Sequence, residues 1–326
     1  MPSVRFQTID DTHSGQRLDN FLIKVLKGVP KTYVYRIIRK GEVRVNKKRA
    51  QASTRLAIAD VVRIPPVRVA QEKQLDPKAA SKHQYLLKTV LYEDDQIMVI
   101  NKPSGLAVHS GSGLRFGIIE LLRELTQYKF LELVHRLDRS TSGCLLLAKK
   151  RSALTKLNAL FANNSEKKNL LDKRYKALVL NSLESHSQMV IVPLSKKALA
   201  KGEHKMVVVD SEQESGQFAK TKFHKIEQFS KEDCEISLIE AKLFTGRTHQ
   251  VRVHAEHIGC PLAGDEKYGD RQFNQAMQSY GLHRLFLHAS QLSFVHPVTD
   301  EKIMITAPLA KELNTVLKNL RAQSDK

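Results

Sequence analysis

Short apolar segments separated by polar turns recur along the chain from residue 92 to residue 306. Segments of about four to eight residues are typical of buried or half-buried strands rather than of helices. Helical spacing of apolar residues is recognised at 153–161 and 309–320. The pattern therefore predicts an α+β fold in which a mixed, mainly antiparallel sheet is flanked by helices. The predicted strands are 97–100, 145–148, 175–179, 189–192, 206–209, 236–239, 285–287 and 303–305.

The first 66 residues have a different pattern, which predicts a small separate unit. Two amphipathic helices are indicated by apolar stripes at Leu18, Phe21, Leu22, Val25 and Leu26, and then at Val34, Ile37 and Ile38. Val43, Arg44 and Val45 alternate as in a strand, and residues 61–64 indicate another. Two helices and a small sheet make an α/β module that can fold alone.

The charge of the chain indicates a polyanionic partner. Its 53 Lys and Arg outnumber its 34 Asp and Glu, so the formal net charge is +19. Residues 15–69 carry 14 basic and three acidic residues, which is more than half of that excess. Such concentration favours a surface that binds nucleic-acid phosphates, although a basic face can also serve solubility alone. The candidate RNA-binding residues are Lys31, Arg36, Arg39, Lys40, Arg44, Lys47 and Lys48.

Several classes of protein are excluded by what the sequence lacks. The three cysteines, Cys144, Cys234 and Cys260, are widely spaced, which excludes a disulfide framework and a zinc ribbon. The N-terminus has no apolar core of a signal peptide, and no long apolar run follows. No P-loop is present, and no second carboxylate pairs with Asp138 as a glycosidase would require. We therefore expect a reduced, cytoplasmic protein with no membrane partner.

One carboxylate stands in an unusual charge environment. The stretch VHRLDRSTSGCLLLAKK places Asp138 between Arg136 and Arg139, directly before a predicted buried strand. Two guanidinium groups nearby favour the ionised form of a carboxyl group. Such a carboxylate is suited to act as a nucleophile or a base. A salt-bridged aspartate that organises a loop fits these residues equally well, so the residues alone leave both interpretations open.

Two further polar stretches follow. TGRTHQVRVHAEHIG contains three histidines, but their spacing does not match one helical face and no acidic cluster lies near them, which disfavours zinc. Arg247 follows Gly246 at the end of an apolar strand, where its guanidinium could reach a carboxylate. PLAGDEKYG is a glycine-flanked loop that we interpret as a turn.

Four separated motifs resemble those of the RluA-type family of RNA pseudouridine synthases. NKPSGLAVH, HRLDRSTSG, GRTHQVRVH and GDEKYG occur in that order between residues 101 and 269. In front of them, GQRLDNFL, RKGEVRVNKKR and VVRIPP resemble the alpha-L RNA-binding module of ribosomal protein S4. The resemblance implies an RNA-binding domain at 15–78, a linker at 79–90 and a catalytic domain with the pseudouridine synthase fold at 91–322.

The resemblance also implies a reaction and the residues that perform it. The bond from ribose to the uracil nitrogen breaks, the uracil turns, and a ring carbon is joined to ribose instead. No atom is gained or lost, so no cofactor or metal is expected. Asp138 matches the family's catalytic aspartate, and Arg247 matches the arginine that pairs with it. Tyr175 matches the tyrosine that stacks on the uracil, and Arg136 matches the arginine that fills the space of the flipped nucleotide.

The N-terminal module makes the chain most similar to family members that modify 23S, large-subunit, ribosomal RNA. Two alternatives remain open: a synthase acting on transfer RNA, and a non-catalytic RNA-binding factor of ribosome assembly. The combination of Asp138, Tyr175 and Arg247 favours the enzyme, because a pure binding protein does not need it. Nothing in the sequence demands more than a monomer.

Overall fold

The computed structural model describes residues 3–68, 80–110, 116–126, 128–162, 170–198, 204–209, 216–231 and 234–322. The described strands are β1 (Arg5–Thr8), β2 (Arg44–Val45), β3 (Lys48–Arg49), β4 (Val61–Ile64), β5 (Val90–Glu93), β6 (Ile97–Lys102), β7 (Glu132–Leu133), β8 (Ser142–Ala148), β9 (Leu171–Leu180), β10 (Ser187–Ile191), β11 (Leu194–Ala198), β12 (His204–Val208), β13 (Lys220–Lys231), β14 (Cys234–Leu243), β15 (Leu287–Val295) and β16 (Lys302–Thr306). The described α-helices are α1 (Leu18–Val25), α2 (Lys31–Arg39), α3 (Ile118–Thr126), α4 (Arg151–Ala162), α5 (Gln250–His257), α6 (Arg271–Gln278) and α7 (Lys311–Ala322).

The N-terminal unit has a hydrophobic core of its own. Its four strands are ordered β1-β4-β2-β3, and one face of this sheet packs on α1 and α2 around Phe21, Ile37 and Val62. Strands β2 and β3 are joined by Asn46 and Lys47, both with positive φ (50° and 66°), which is the geometry of a tight two-residue hairpin. The small α/β module predicted from the sequence is confirmed.

A ten-stranded sheet forms the centre of the rest of the chain. Eight strands are ordered β10-β13-β14-β9-β15-β8-β6-β5, with β16 beside β15 and β7 beside β8. Among the described pairs, β8 and β15 run parallel and the others are antiparallel. Helices α3 and α5 pack on one face and α4, α6 and α7 on the other, because apolar side chains alternate between the faces. The predicted α+β class is therefore confirmed.

The parallel pairing of β8 with β15 holds the loop that precedes β8, residues 136–141, against the end of the sheet. Gly143, in β8, has φ +111°, and a Cβ at this position would lie 2.2 Å from the carbonyl oxygen of Ala289 in β15. Glycine is required here because any larger residue would force the two strands apart. The close approach places the Asp138 loop over the centre of the fold.

The two units touch through a few polar contacts. Glu132 forms an ion pair with Lys24 of the N-terminal unit (2.7 Å) and a second one with Arg123 of α3 in its own unit (2.8 Å). The guanidinium of Arg151, at the start of α4, donates to the carbonyl oxygen of Thr12. These contacts join the N-terminal unit to the side of the larger sheet.

Part of the segment expected to be a linker, 79–90, is packed. Gln84–Thr89 form a short 3₁₀ helix, and Leu86 is fully buried in the same cluster as α3. Residues 69–79 lie outside the described ranges. Within the described ranges, no helix has both the length and the apolar character needed to span a membrane.

Candidate active site

A cleft of about 530 Å³ opens beside the loop that precedes β8. Its walls are formed by this loop, the C-terminal end of α4, strand β9 and the segment 243–252 that leads from β14 into α5. Arg136, Asp138, Tyr175 and Arg247 all line it. The tertiary structure thus brings these four residues together, although the first and the last of them are more than 100 positions apart in the sequence.

The carboxylate of Asp138 faces this cleft with 20% of its side chain exposed. Arg252 Nη1 and His249 Nε2 each lie 3.7 Å from its Oδ2 atom. The two arginines beside it in sequence do not supply these contacts, because Arg139 donates to a backbone carbonyl and Arg136 is exposed. The positive environment predicted for this carboxylate therefore exists, but α5 and the residue before it provide it.

In this structure Asp138 pairs with Arg252 rather than with Arg247, the arginine that the resemblance had implied. Arg247 lies in the exposed loop before α5, and its Nε donates to the carbonyl oxygen of Phe218 at 3.0 Å. Arg252 is instead on the first turn of α5, a helix buried on nearly every side, and its side chain is directed inward to Asp138. The two arginines are only five residues apart in sequence. Helix α5 begins between them, so the side chain of Arg247 points to solvent and that of Arg252 points to Asp138.

Arg252 is held in place by a buried carboxylate of the GDEKYG motif. Its Nε and Nη2 donate to the two oxygens of Asp265, both at 2.7 Å, in a bidentate pair. Asp265 is 1% exposed and also accepts the backbone N–H groups of Lys267 (2.9 Å) and Tyr268 (3.0 Å). Burial alone raises the pKa of Asp265, but the hydrogen bonds and charge of Arg252 outweigh it and lower that pKa.

The loop interpreted as a turn is therefore a support for the site. Gly264 at its start has φ +72°, and a Cβ there would lie 2.1 Å from the carbonyl oxygen of Arg284. The ring of Tyr268 lies 4.8 Å from the Arg252 guanidinium, in cation–π geometry. Two residues of the motif thus hold the Arg252 guanidinium in place, Asp265 through the ion pair and Tyr268 through its ring.

His249 stands at the N-terminal end of α5 in a left-handed conformation, with φ 56°. Its Nδ1 lies 2.9 Å from the Tyr268 hydroxyl, and its Nε2 is the atom near Asp138. Burial lowers the pKa of His249, and the charge of Asp138 opposes this shift. A strained residue held by a hydrogen bond on one side and a carboxylate on the other is typical of a functional site.

Tyr175 projects from β9 into the cleft from the core side of the sheet. Its side chain is 9% exposed, and burial, together with the charge of Asp138, raises its pKa above the ordinary value. The phenol therefore stays neutral at physiological pH, and its ring provides an apolar surface beside the carboxylate.

The Asp138 loop is supported from below by Lys102, at the end of β6. This ammonium group is fully buried and donates to the carbonyl oxygens of Pro103 (2.8 Å), Arg139 (3.2 Å) and Thr141 (2.8 Å). Burial lowers its pKa to about 7, while the charge of Asp138 acts in the opposite direction. Lys102 thus ties the loop to the NKPSG motif.

The opposite wall of the cleft carries a second buried lysine. Lys173, 8% exposed, donates to the carbonyl oxygen of Thr245 at 3.4 Å, and burial, with the charge of Arg247, lowers its pKa to about 8. His135 stacks on Phe161 with ring centroids 5.1 Å apart.

Within the described ranges, no three His, Cys, Asp or Glu side chains come together as metal ligands.

All seven basic residues proposed in the N-terminal unit are exposed: Lys31, Arg36, Arg39, Lys40, Arg44, Lys47 and Lys48. Four belong to α2 or its end, and three to the β2–β3 hairpin. The residues that sequence reasoning missed are Lys102, His249, Arg252 and Asp265. All four lie inside the motifs that carried the resemblance, which was the available signal.

Comparison with known proteins identifies the class to which this sheet and cleft belong, the pseudouridine synthases. The solved structure of human RNA pseudouridylate synthase domain containing 4 has this fold, with a TM-score of 0.60 and 26% identity over 75% of this chain and 97% of that one. Residues 96–257 match the RNA pseudouridylate synthase family model, and residues 16–62 match the S4 domain.

Curated relatives extend this similarity over almost the whole chain. A ribosomal large subunit pseudouridine synthase C of Yersinia pestis is 50% identical over 322 residues, 98% of this chain and 97% of that protein. The protein of the same name from Haemophilus ducreyi is 49% identical over 323 residues, with 98% and 97% covered. The chain belongs to the RNA pseudouridylate synthase family. It is an RNA-modifying isomerase with an N-terminal S4 domain, as the sequence motifs predicted.

Proposed function

We propose that this enzyme converts specific uridines of large-subunit ribosomal RNA to pseudouridine and that Asp138 is its catalytic carboxylate. The observation that carries the second part is the position of Asp138, which faces the cleft between Arg252, His249 and the ring of Tyr175. The relatives from Yersinia pestis and Haemophilus ducreyi support the first part, since both are named as pseudouridine synthases of the ribosomal large subunit. We propose a cytoplasmic location as well, because it would give the enzyme access to ribosomal RNA.

The reaction needs a negatively charged group beside the ribose and the base. The glycosidic C–N bond breaks and the detached uracil rotates. A ring carbon then bonds to the anomeric carbon and gives up its hydrogen as a proton, while the ring nitrogen freed from ribose takes up a proton. Asp138 is the candidate group because Arg252 stabilises its charge and directs one oxygen. The buried Asp265 in turn stops Arg252 from turning toward solvent. Preorganisation of this kind keeps a reacting group in one geometry.

The other cleft residues receive and hold the nucleotide. A uridine must leave its stack to be reached, which costs a few kcal/mol. Stacking of the uracil on Tyr175 recovers part of this free energy, and the exposed Arg136 is placed to enter the space that the nucleotide leaves. Arg247 and Lys173 add positive charge on the far wall, where a backbone phosphate would lie.

The decisive experiment maps pseudouridine in ribosomal and transfer RNA from cells with and without this protein. We expect the loss of specific sites in large-subunit ribosomal RNA only. Loss of sites confined to transfer RNA would identify the alternative substrate. If the pseudouridine map is unchanged in both kinds of RNA, the proposed activity on them is contradicted and a role in RNA binding alone is indicated.

The basic surface of the S4 domain is proposed to neutralise RNA phosphates. Replacing Lys31, Arg36 and Arg39 together by Gln should make the slope of log K against log salt less steep by about 2 to 3, since each phosphate contact contributes about 0.9. A matched triple change of Lys302, Lys311 and Lys318, exposed on the large domain, should leave the slope unchanged. Titration of labelled ribosomal RNA over a range of salt measures both. Equal slopes for the two variants would contradict the assigned role.

Arg247 is proposed as a phosphate contact, because its guanidinium is exposed at the cleft and not bound to Asp138. Arg247→Ala should weaken RNA binding about tenfold and reduce the salt slope by about one, with kcat nearly unchanged. Arg271→Ala, at an exposed arginine outside the cleft, is the control. A fall in kcat with unchanged RNA affinity would contradict this assignment and indicate that Arg247 acts in the reaction step.

A further inference from the structure

The outer face of the small sheet, opposite α1 and α2, carries a row of four side chains. Strand register pairs Phe6 with Arg63, Arg63 with Arg44, and Arg44 with Arg49. Paired residues of antiparallel strands point to the same face. The row therefore crosses all four strands, over about 14 Å at the usual strand spacing. We refer to Phe6, Arg63, Arg44 and Arg49 as the outer-face row.

Phe6 is the unusual member of this row. Its side chain is 67% exposed, although an aromatic ring of this size gains free energy when it is removed from water. The neighbouring strand contributes Val61, which is 38% exposed. The shallow depression around them is lined by Phe6, Gly41, Arg44, Asn46, Lys47, Val61 and Arg63, none of them acidic.

The arginines of the row are positioned by backbone carbonyls rather than by carboxylates. Arg63 donates to the carbonyl oxygen of Glu42 (2.6 Å), and Arg44 donates to that of Lys47 (3.2 Å). Arg49 donates to the carbonyl oxygen of Arg39 at 2.5 Å. These hydrogen bonds orient the guanidinium groups without cancelling their charge. Each group keeps further N–H donors for an anion.

An aromatic ring at one end of a row of three oriented guanidinium groups is a combination suited to single-stranded nucleic acid. Bases stack on exposed rings whatever their sequence, and arginines contact the adjoining phosphates. Arg49 also touches the end of α2, so the row continues around the sheet edge into the basic surface of that helix. The positively charged surface is therefore continuous, and an RNA strand bound at α2 can extend along it onto the outer face of the sheet.

We propose that the outer face of the S4 sheet is a contact for unpaired RNA, in which Phe6 stacks on a base and Arg63, Arg44 and Arg49 bind the adjoining phosphates. This rests on the proposed role of the S4 domain in binding the substrate RNA. It extends that role from the helix α2 to the sheet and adds a stacking residue.

The test compares two full-length variants of exposed apolar residues in the same domain, Phe6→Ala and Ile58→Ala. Ile58 is 64% exposed and lies outside the row. The probes are a fluorescently labelled single-stranded oligouridylate and an RNA duplex of equal length. We expect Phe6→Ala to lower affinity for the single strand about 5- to 150-fold, the range for one lost base–aromatic stack. Ile58→Ala should bind as the unmodified protein does.

Two further measurements separate stacking from charge. Phe6→Ala should leave the salt slope unchanged, whereas Arg63→Gln should reduce it by about 0.7 on the single strand. Phe6→Trp should retain single-strand affinity, and Phe6→Ala should leave duplex affinity unchanged. Unaltered single-strand affinity of Phe6→Ala would overturn the proposal, as would equal losses for duplex and single strand.

Pseudouridine formation in large-subunit ribosomal RNA distinguishes failure of this inference from failure of the proposed function. If Phe6→Ala binds the single strand normally while the unmodified protein forms pseudouridine, the outer face is not an RNA contact and the function stands. If Phe6 controls single-strand binding but the unmodified protein forms no pseudouridine, the contact stands and the substrate assignment fails.

Discussion

Asp138→Asn is expected to lower kcat for pseudouridine formation by about 10⁴-fold or more, the usual range for removing a principal catalytic group. Asparagine has the same shape but carries no charge, so it can act neither as a nucleophile nor as a base. RNA affinity should change by less than about fivefold, because the lost charge is single and partly exposed. The measurement is release of tritium from RNA labelled at the uracil carbon that becomes bonded to ribose.

Asp300→Asn provides the matched control for this substitution. Asp300 lies in an exposed turn between β15 and β16 with φ 58°, a conformation that asparagine also tolerates. We expect full turnover in this variant. Turnover of Asp138→Asn within tenfold of the unmodified enzyme would show that the carboxylate only organises its loop.

Arg252→Lys should lower kcat about 100-fold while the KM for RNA changes little. A lysine can pair with Asp265 or approach Asp138, but it lacks the planar fork that reaches both at once. Asp138 then loses its fixed position, and displacement of a reacting group by about 1 Å costs about this factor. Because the charge beside the buried Asp265 is kept, thermal unfolding should show a folded protein.

Arg247→Lys is the corresponding control, since it changes an arginine of the same cleft that does not contact Asp138. We expect kcat to be retained and KM to rise slightly. The opposite result, with kcat lost in Arg247→Lys and retained in Arg252→Lys, would show that Arg247 is the partner during the reaction.

Secondary structure was predictable where burial leaves a periodic pattern. The observed bounds of β6, β8, α1 and α2 lie within three residues of the predicted apolar runs and stripes. Strand β13, Lys220–Lys231, was missed because many of its side chains are charged, and it is held as a strand by pairing with β10 and β14. Helix α5 was missed because six of its eight residues are buried, which removes the amphipathic period.

The candidate site divides in the same way. The motifs pointed to Asp138 because they resemble those of a known family, whereas its charge environment alone fitted a catalytic and a loop-organising carboxylate equally well. The resemblance paired Asp138 with Arg247, whereas Arg252 makes the contact in the structure. Both arginines belong to one motif, and nothing in the local sequence says which side chain turns inward. That direction depends on where α5 begins and on Asp265, which arrives from a loop 13 residues further along the chain.

The sequence by itself determined the α+β class, the basic N-terminal module and the family, since composition, periodicity and motif order are properties of the chain alone. Only the tertiary structure decided which groups touch Asp138 and that Lys102 supports its loop. Only the tertiary structure also decided that Phe6 joins three arginines on one face. The physical reason is that an ion pair or a shared face depends on distances between atoms, and folding sets those distances by packing segments that the sequence keeps far apart.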